Sequence, residues 1–443
     1  MRWLIYNILF TFAYLVMVPH FLLRMWRRGG YRNRFNDRFG RYPVEIEQAL
    51  RTMNHPVWIH AVSVGEVYVA GQVMRAMRQQ NPAVRFVLST TSSTGWREAE
   101  KQVMAQDQLI FCPLDFPGCV KRALDVIQPS LFIFTESEIW PNLIRACATR
   151  KIPLFLVNAR ISDKSAPGYR RLRFWFGPIL RMFTTIFAQS EMDKQRLVDA
   201  GALPDMIDVT GSFKFDVANR NREKEASIAA FLAQYGVDDE TIVLVGGSTW
   251  PGEDGVLVSI FKNLYTRYPA LRLVIVPRHF EKADAVQAEI EKAGLLCVRK
   301  SRVAGVTAAT DATLKTNRAV ILADTTGELM GFYGVADIVF VGKSLCEHGA
   351  QNMIEPCLCG AATLVGPYTE NFRPVMADLL AAQALIQVDS AEALERDVER
   401  LVRDASARKK LGEAGVQAVE RRKGVVANVA ATLNQALGAA ARL

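Results

Sequence analysis

The sequence predicts an α/β protein: two doubly wound, parallel-sheet domains behind an N-terminal membrane helix. Three observations predict it. Two series of short apolar runs alternate with stretches long enough for crossover helices, the pattern of parallel sheets covered on both faces. A polar run, residues 216–227, separates the two series. The chain opens on a segment, residues 3–23, that carries no charge. A length of 443 residues allows two or three domains at about 150 residues each. With 50% hydrophobic and 22% charged residues, the chain buries real cores, which excludes disorder, collagen or a coiled coil as its main architecture.

The N-terminal segment runs from Trp3 to Leu23 and is interrupted only by Asn7, Thr11, Pro19 and His20. About 20 apolar residues span a bilayer as helix. A cleaved signal peptide usually has a shorter apolar stretch and a small-residue cleavage site. Here the stretch runs into Leu22-Leu23-Arg24-Met25-Trp26-Arg27-Arg28. A single-pass anchor over residues 1–28 is the expectation. Its alternatives are a helix lying in the membrane interface or docked on the body. Most of the net charge of +9 sits in residues 24–41, which hold seven arginines and one acid, Asp37. By the positive-inside rule this cluster puts the body in the cytoplasm, with Trp3, Trp26 and Tyr31 at the two interfaces. A basic balance so local is unlike a nucleic-acid-binding face, so no nucleic-acid partner is expected. The seven cysteines are odd in number and scattered, as reduced cytosolic thiols are.

In the first domain, residues 29–215, the expected strands are 57–61, 84–88, 131–134 and 153–157. In the second, residues 216–443, they are 241–245, 271–276, 319–322 and 337–341, with the polar run as hinge. Ligands of two such domains belong in the cleft between them, at the C-terminal strand ends.

Those ends carry the polar motifs. Ala61-Val62-Ser63-Val64-Gly65-Glu66 follows the first strand and opens a helix, 67–78. Ser63 with Glu66 three residues on has capping-box spacing. A carboxylate at a strand's C-terminal end also suits a general base. Both readings stay open. Glu136-Ser137-Glu138-Ile139-Trp140-Pro141 puts two acids after a very apolar strand. If the strand continues, alternation sends both to one side, as crowded proton carriers; otherwise they are first-turn acids of a helix begun by Pro141. Gly246-Gly247-Ser248-Thr249, Val276-Pro277-Arg278-His279, Asp324-Thr325-Thr326-Gly327-Glu328 and Gly349-Ala350-Gln351-Asn352-Met353-Ile354-Glu355-Pro356 together describe a nucleotide site, with Arg278 as phosphate partner. Gly342-Lys343-Ser344 looks like the end of a phosphate loop but lacks its first glycine, since position 337 is Asp337. Cys346, His348, Cys357 and Cys359 have spacings too short for zinc. No Asp-X-Asp occurs to hold a metal. Residues 167–187 interleave arginines with aromatics and hold no acid. That suits lipid headgroups, or a core helix with snorkelling arginines.

The motifs resemble the Kdo (3-deoxy-D-manno-octulosonic acid) transferases of lipopolysaccharide assembly over nearly the whole chain. The resemblance rests on His60-Ala61-Val62-Ser63-Val64-Gly65-Glu66, Glu136 to Pro141, Val157-Asn158-Ala159-Arg160, Gly211-Ser212-Phe213-Lys214-Phe215-Asp216, Val276 to His279 and Asn352 to Pro356. It implies a GT-B fold, two Rossmann-like domains facing across a cleft. It implies inverting transfer of Kdo from CMP-Kdo to the lipid A precursor at the cytoplasmic face of the inner membrane, with no metal or other cofactor. Partners would be CMP-Kdo, the lipid A precursor and membrane lipids. Under the resemblance Glu66 is the base, and Glu136 and Lys214 stabilise the transition state. Pro277, Arg278, Thr326, Gly327, Glu328, Asn352, Met353, Ile354 and Glu355 hold CMP. The alternative is a GT-B transferase using a UDP-sugar on another lipid acceptor.

Overall fold

A computed structural model of the chain describes residues 2–28, 34–303 and 316–440. Tyr31 and Arg32, expected near the membrane boundary, lie outside these. The chain divides into two compact units, Met1–Phe213 with Gly424–Leu443, and Lys214–Lys423.

The first unit holds seven parallel strands: β1 (Val57–His60), β2 (Phe86–Thr90), β3 (Gln108–Phe111), β4 (Leu131–Thr135), β5 (Leu154–Ala159), β6 (Thr185–Ala188) and β7 (Ile207–Val209). Their order is β3-β2-β1-β4-β5-β6-β7, so the winding reverses between β1 and β4. Every residue of β1, β2, β4 and β5 is buried, which is why their sequences are continuous apolar runs. One core lies on each sheet face, with Trp58, Phe132 and Phe134 in one and Ile59, Leu131 and Ile133 in the other.

The second unit repeats the scheme with β8 (Ile242–Thr249), β9 (Leu271–Pro277), β10 (Leu296–Arg299), β11 (Ala319–Leu322), β12 (Ile338–Val341), β13 (Ala362–Val365) and β14 (Ile386–Gln387). Their order is β10-β11-β9-β8-β12-β13-β14, and the reversal falls between β8 and β12. The six strands without a sequence signal, β3, β6, β7, β10, β13 and β14, have two to four residues each.

Three expectations change. The domain limit falls at Phe213 and Lys214, and residues after Lys423 return to the first unit. There the helix Val425–Ala440 buries Val426, Val429 and Leu433 in the core that holds Ile59 and Phe213. Its Asn434 donates to the Met77 carbonyl at 3.1 Å. An apolar stripe needs cover, and this helix finds it in that core, beside Val73, Met74 and Met77. The polar run is also not wholly a hinge. Asn221 caps a helix, Arg222–Ala233, by accepting from Lys224 N–H, and Glu225 in its first turn pairs with Arg220 and Arg222.

The N-terminal helix, Arg2–Arg28, is long and apolar enough over Arg2–Pro19 to cross a membrane. It is nevertheless docked. Tyr6 donates to Asp115 at 2.8 Å, and Asn142 donates to Asn7 at 2.6 Å. Phe10 and Tyr14 meet Phe116 edge-on, and the Arg145 guanidinium sits over Trp3. These residues form one helical stripe. Leu4, Ile5, Ile8, Leu9, Phe12, Leu15 and Val16 form the opposite, exposed one. The basic–aromatic stretch divides likewise: Ile179, Leu180 and Phe183 are core, while Leu172 and Phe174 are exposed among Arg170, Arg171 and Arg173.

Candidate active site

In the first unit the helix Val64–Gln80 begins directly after β1, with Ser63 as its N-cap. Ser63 Oγ accepts from Glu66 N–H at 3.3 Å and donates to Glu66 Oε1 at 2.8 Å. Glu66 Oε2 accepts from Val62 N–H at 3.0 Å and from the Thr135 hydroxyl at 3.2 Å. The Ser63 half of the capping box is therefore present, while the Glu66 carboxylate reaches one residue past the N-cap, to Val62 N–H, and Thr135, at the end of β4, meets it across the point where the sheet reverses. Glu66 is buried, and Oε1, with one donor, keeps capacity for a second.

The two acids after β4 part company. Glu136 has φ 55°, a left-handed conformation that breaks strand alternation. It turns toward the end of β5, where Arg160 donates to it at 2.9 Å and Asn158 at 3.4 Å. Asn158 shares the left-handed backbone, φ 54°, and is held by accepting from Phe213 N–H. Glu138 instead lies with Glu66. Burial, and then the Glu66 carboxylate, push its carboxyl up to about 7, against a hydrogen bond from Trp140; Glu136 adds to the rise. Neither acid caps the helix Pro141–Thr149. Asp115 does so, accepting from Asn142 and Leu143 N–H. Nothing local in the sequence marks Asp115 for that part. His60 is fully buried, and burial pushes its imidazole down to about 4, so it stays neutral between Phe134 and Trp140.

Glu138 yields a stability prediction. Its folded pKa lies above the ordinary 4.5, so folding favours the protonated form. Stability then falls as pH rises from about 4.5 to about 7. Glu138→Gln removes this titration. Its Tm relative to wild type is expected to climb between pH 4.5 and pH 8. A difference that does not change over that range would show that Glu138 ionises in the fold as it does in the open chain.

In the second unit the polar strand ends line up along one edge of the sheet, after β11, β9, β8 and β12 in that spatial order. Arg278, after β9, is exposed. Thr326 and Gly327, after β11, are exposed, and Gly327 has φ 79° and accepts from Lys224 at its carbonyl. Burial pushes Glu328 up, but Lys300 at 2.8 Å and Thr325 outweigh it and hold the carboxyl below its usual range. Asn352 donates to Glu355 at 3.0 Å and accepts from Ile354 N–H. Burial pushes the Glu355 carboxyl up, against that bond. Met353 and Ile354 have their side chains in the core, leaving only main chain for a ligand. Lys214 opens this unit, with its ammonium on the Asn371 carbonyl at 2.9 Å and over the Phe372 ring. The glycine pair is not an anion cradle. Gly246 and Gly247 lie inside β8, where an added Cβ would meet Leu257 at 2.3 Å or the Tyr333 hydroxyl at 2.2 Å.

In the first unit carboxylates lie beside the reversal of the sheet, and in the second an exposed arginine, Arg278, follows β9. The sequence model described as 3-deoxy-D-manno-octulosonic-acid transferase (kdotransferase) matches residues 33–217. A protein of that name from Haemophilus influenzae is 32% identical over 397 residues, 89% of this chain and 90% of that one. The chain belongs to the Kdo transferase family. A second relative so named, from Bordetella pertussis, is 32% identical over 422 residues, 91% and 93% of the two chains. A glycosyltransferase of known structure from Rickettsia africae superposes with a TM-score of 0.56 at 14% identity, covering 87% of this chain and 99% of that one. That likeness shows the fold, two Rossmann-like units of the GT-B kind. This Kdo transferase is thus a glycosyltransferase with an apolar N-terminal helix.

Proposed function

We propose that this transferase moves Kdo from CMP-Kdo to the lipid A precursor by a single inverting displacement that uses no metal. The observation that carries the reading is the Glu66 carboxylate, held by Ser63 Oγ and Val62 N–H at the reversal of the first sheet, beside a Thr135 hydroxyl that it shares with the His60 carbonyl, and retaining acceptor capacity on Oε1. The acceptor hydroxyl gives its proton to Oε1 as its oxygen bonds to the anomeric carbon. The bond from that carbon to the CMP phosphate breaks, and CMP leaves with its electron pair. Under this reading Lys214 and Arg278 stabilise the leaving phosphate, as preorganised cations do. Glu136, steadied by Arg160, faces the positive charge developing on the sugar. Pro277, Thr326, Gly327, Glu328, the Asn352–Glu355 pair and the main chain of Met353 and Ile354 hold CMP. Mass spectrometry after incubation with CMP-Kdo and the lipid A precursor, with and without EDTA, tests the reading. A Kdo-bearing lipid in both reactions is expected. Turnover of a UDP-sugar but not CMP-Kdo would overturn it.

The enzyme works at the cytoplasmic face of the inner membrane in this reading. Its first helix lies along the surface, not across the bilayer, because residues 3–14 are committed to the folded unit by the Tyr6 and Asn7 hydrogen bonds. The outward stripe and the exposed Phe174 then dip into the interface, with arginines at headgroup level. Phe12→Ser with Val16→Ser is expected to cut sedimentation with anionic liposomes while leaving Tm unchanged. Tyr6→Phe should do the reverse, costing about 1 kcal/mol, since Asp115 keeps its two backbone donors. Liposome binding unaffected by the double variant would remove the outward stripe from the contact.

A further inference from the structure

The loop after β12, Gly342-Lys343-Ser344, looks in sequence like the end of a phosphate loop, but the protein fills that place with its own carboxylate. Glu253 is fully buried. Its oxygens accept from the backbone N–H groups of Lys343 at 2.8 Å, Ser344 at 2.9 Å and Leu345 at 2.9 Å, and from Trp250 N–H at 2.9 Å. No main-chain donor of residues 343–345 remains for a ligand. The same cradle holds Lys343 at φ 59°, where glycine is relaxed and lysine is strained. The side chain is thus kept at a position where its backbone is disfavoured. Its ammonium lies 4.5 Å from the centroid of the Trp250 indole, and that indole meets the His279 ring edge-on at 5.2 Å. Among the described residues the Trp250 indole N–H has no acceptor, and neither Lys343 nor Arg278 has an anionic partner.

The position decides what this pair is for. Trp250 follows β8 and Lys343 follows β12, the adjacent strands between which the second sheet reverses. Arg278 and His279 follow β9, on the other side of β8. Open α/β sheets bind ligands outside the carboxyl ends of their strands at such a reversal. We propose that Lys343, steadied on the Trp250 ring, binds an oxyanion of the donor sugar nucleotide. The ring fixes the direction of a flexible cation and leaves its N–H groups available for an anion. The proposal rests on the donor assigned above, which offers two such groups, the phosphate and the sugar carboxylate.

Calorimetric titration of the full chain with CMP and with CMP-Kdo tests it, using wild type, Lys343→Gly, Lys343→Met and Lys343→Arg. Glycine suits the left-handed backbone, so Lys343→Gly keeps the Glu253 cradle. Lys343→Gly and Lys343→Met are expected to weaken CMP-Kdo binding by about 10- to 100-fold, the loss of one charge-assisted contact, with Lys343→Arg recovering most of it. An equal loss for CMP identifies the phosphate as partner; CMP affinity unchanged beside weakened CMP-Kdo identifies the carboxylate. Unchanged affinity for both in a folded Lys343→Gly overturns the proposal. If wild type binds neither but binds UDP, the donor assignment has failed, and the same variants titrated with UDP still decide whether Lys343 binds an oxyanion.

Discussion

Glu66→Gln is expected to leave a folded protein whose kcat falls by about 10²- to 10⁴-fold. The geometry explains why the two effects separate. The glutamine amide oxygen can replace Oε2, accepting from Val62 N–H and the Thr135 hydroxyl. Its NH₂ group can replace Oε1 if the Ser63 hydroxyl reverses and accepts. The helix start survives at a cost of at most about 1 kcal/mol. Glutamine has no useful basicity, so the acceptor hydroxyl loses its proton acceptor. Steady-state kinetics beside thermal denaturation and CMP titration give the three numbers needed. Turnover near wild type would leave Glu66 a helix cap only and pass the base role to Glu138, which shares its surroundings.

The second large effect is expected from the C-terminal helix. Truncation after Lys423 should abolish folding of the first unit while the second, Lys214–Lys423, keeps its own transition. The helix buries Val425, Val426, Val429, Ala430 and Leu433. At about 1.5–3 kcal/mol for each of the four large apolar side chains, their loss, about 6–12 kcal/mol, is comparable with the whole stability of an ordinary domain, about 5–15 kcal/mol. Leu433→Ala, a milder change at a fully buried site, should cost about 2–5 kcal/mol. Urea denaturation followed by circular dichroism would resolve the two units. A truncated chain with both transitions intact would show that the first core closes without this helix.

Much of the fold was legible because local chemistry dictated it. β1, β4, β8 and β9 are buried on both faces, so their apolar runs could be read without any partner. The Ser63–Glu66 cap spans three residues and is written in their spacing, and so is the array of polar strand ends in the second unit. What the sequence left open depends on residues far apart in the chain. Glu136 and Glu138 looked equivalent until a left-handed turn at Glu136 sent one to Arg160 and the other to Glu66. Gly246 and Gly247 looked like a ligand cradle until Leu257 and Tyr333 occupied the space beside them. Asp115 and Asn142 engage one stripe of the first helix, and the last helix packs back into the first unit's core; neither partnership has a local pattern. Period and cap spacing are set by backbone geometry within a few residues. The choice of partner for a buried carboxylate or an apolar stripe follows from desolvation, and which groups lose water together is decided only when the sheets have assembled.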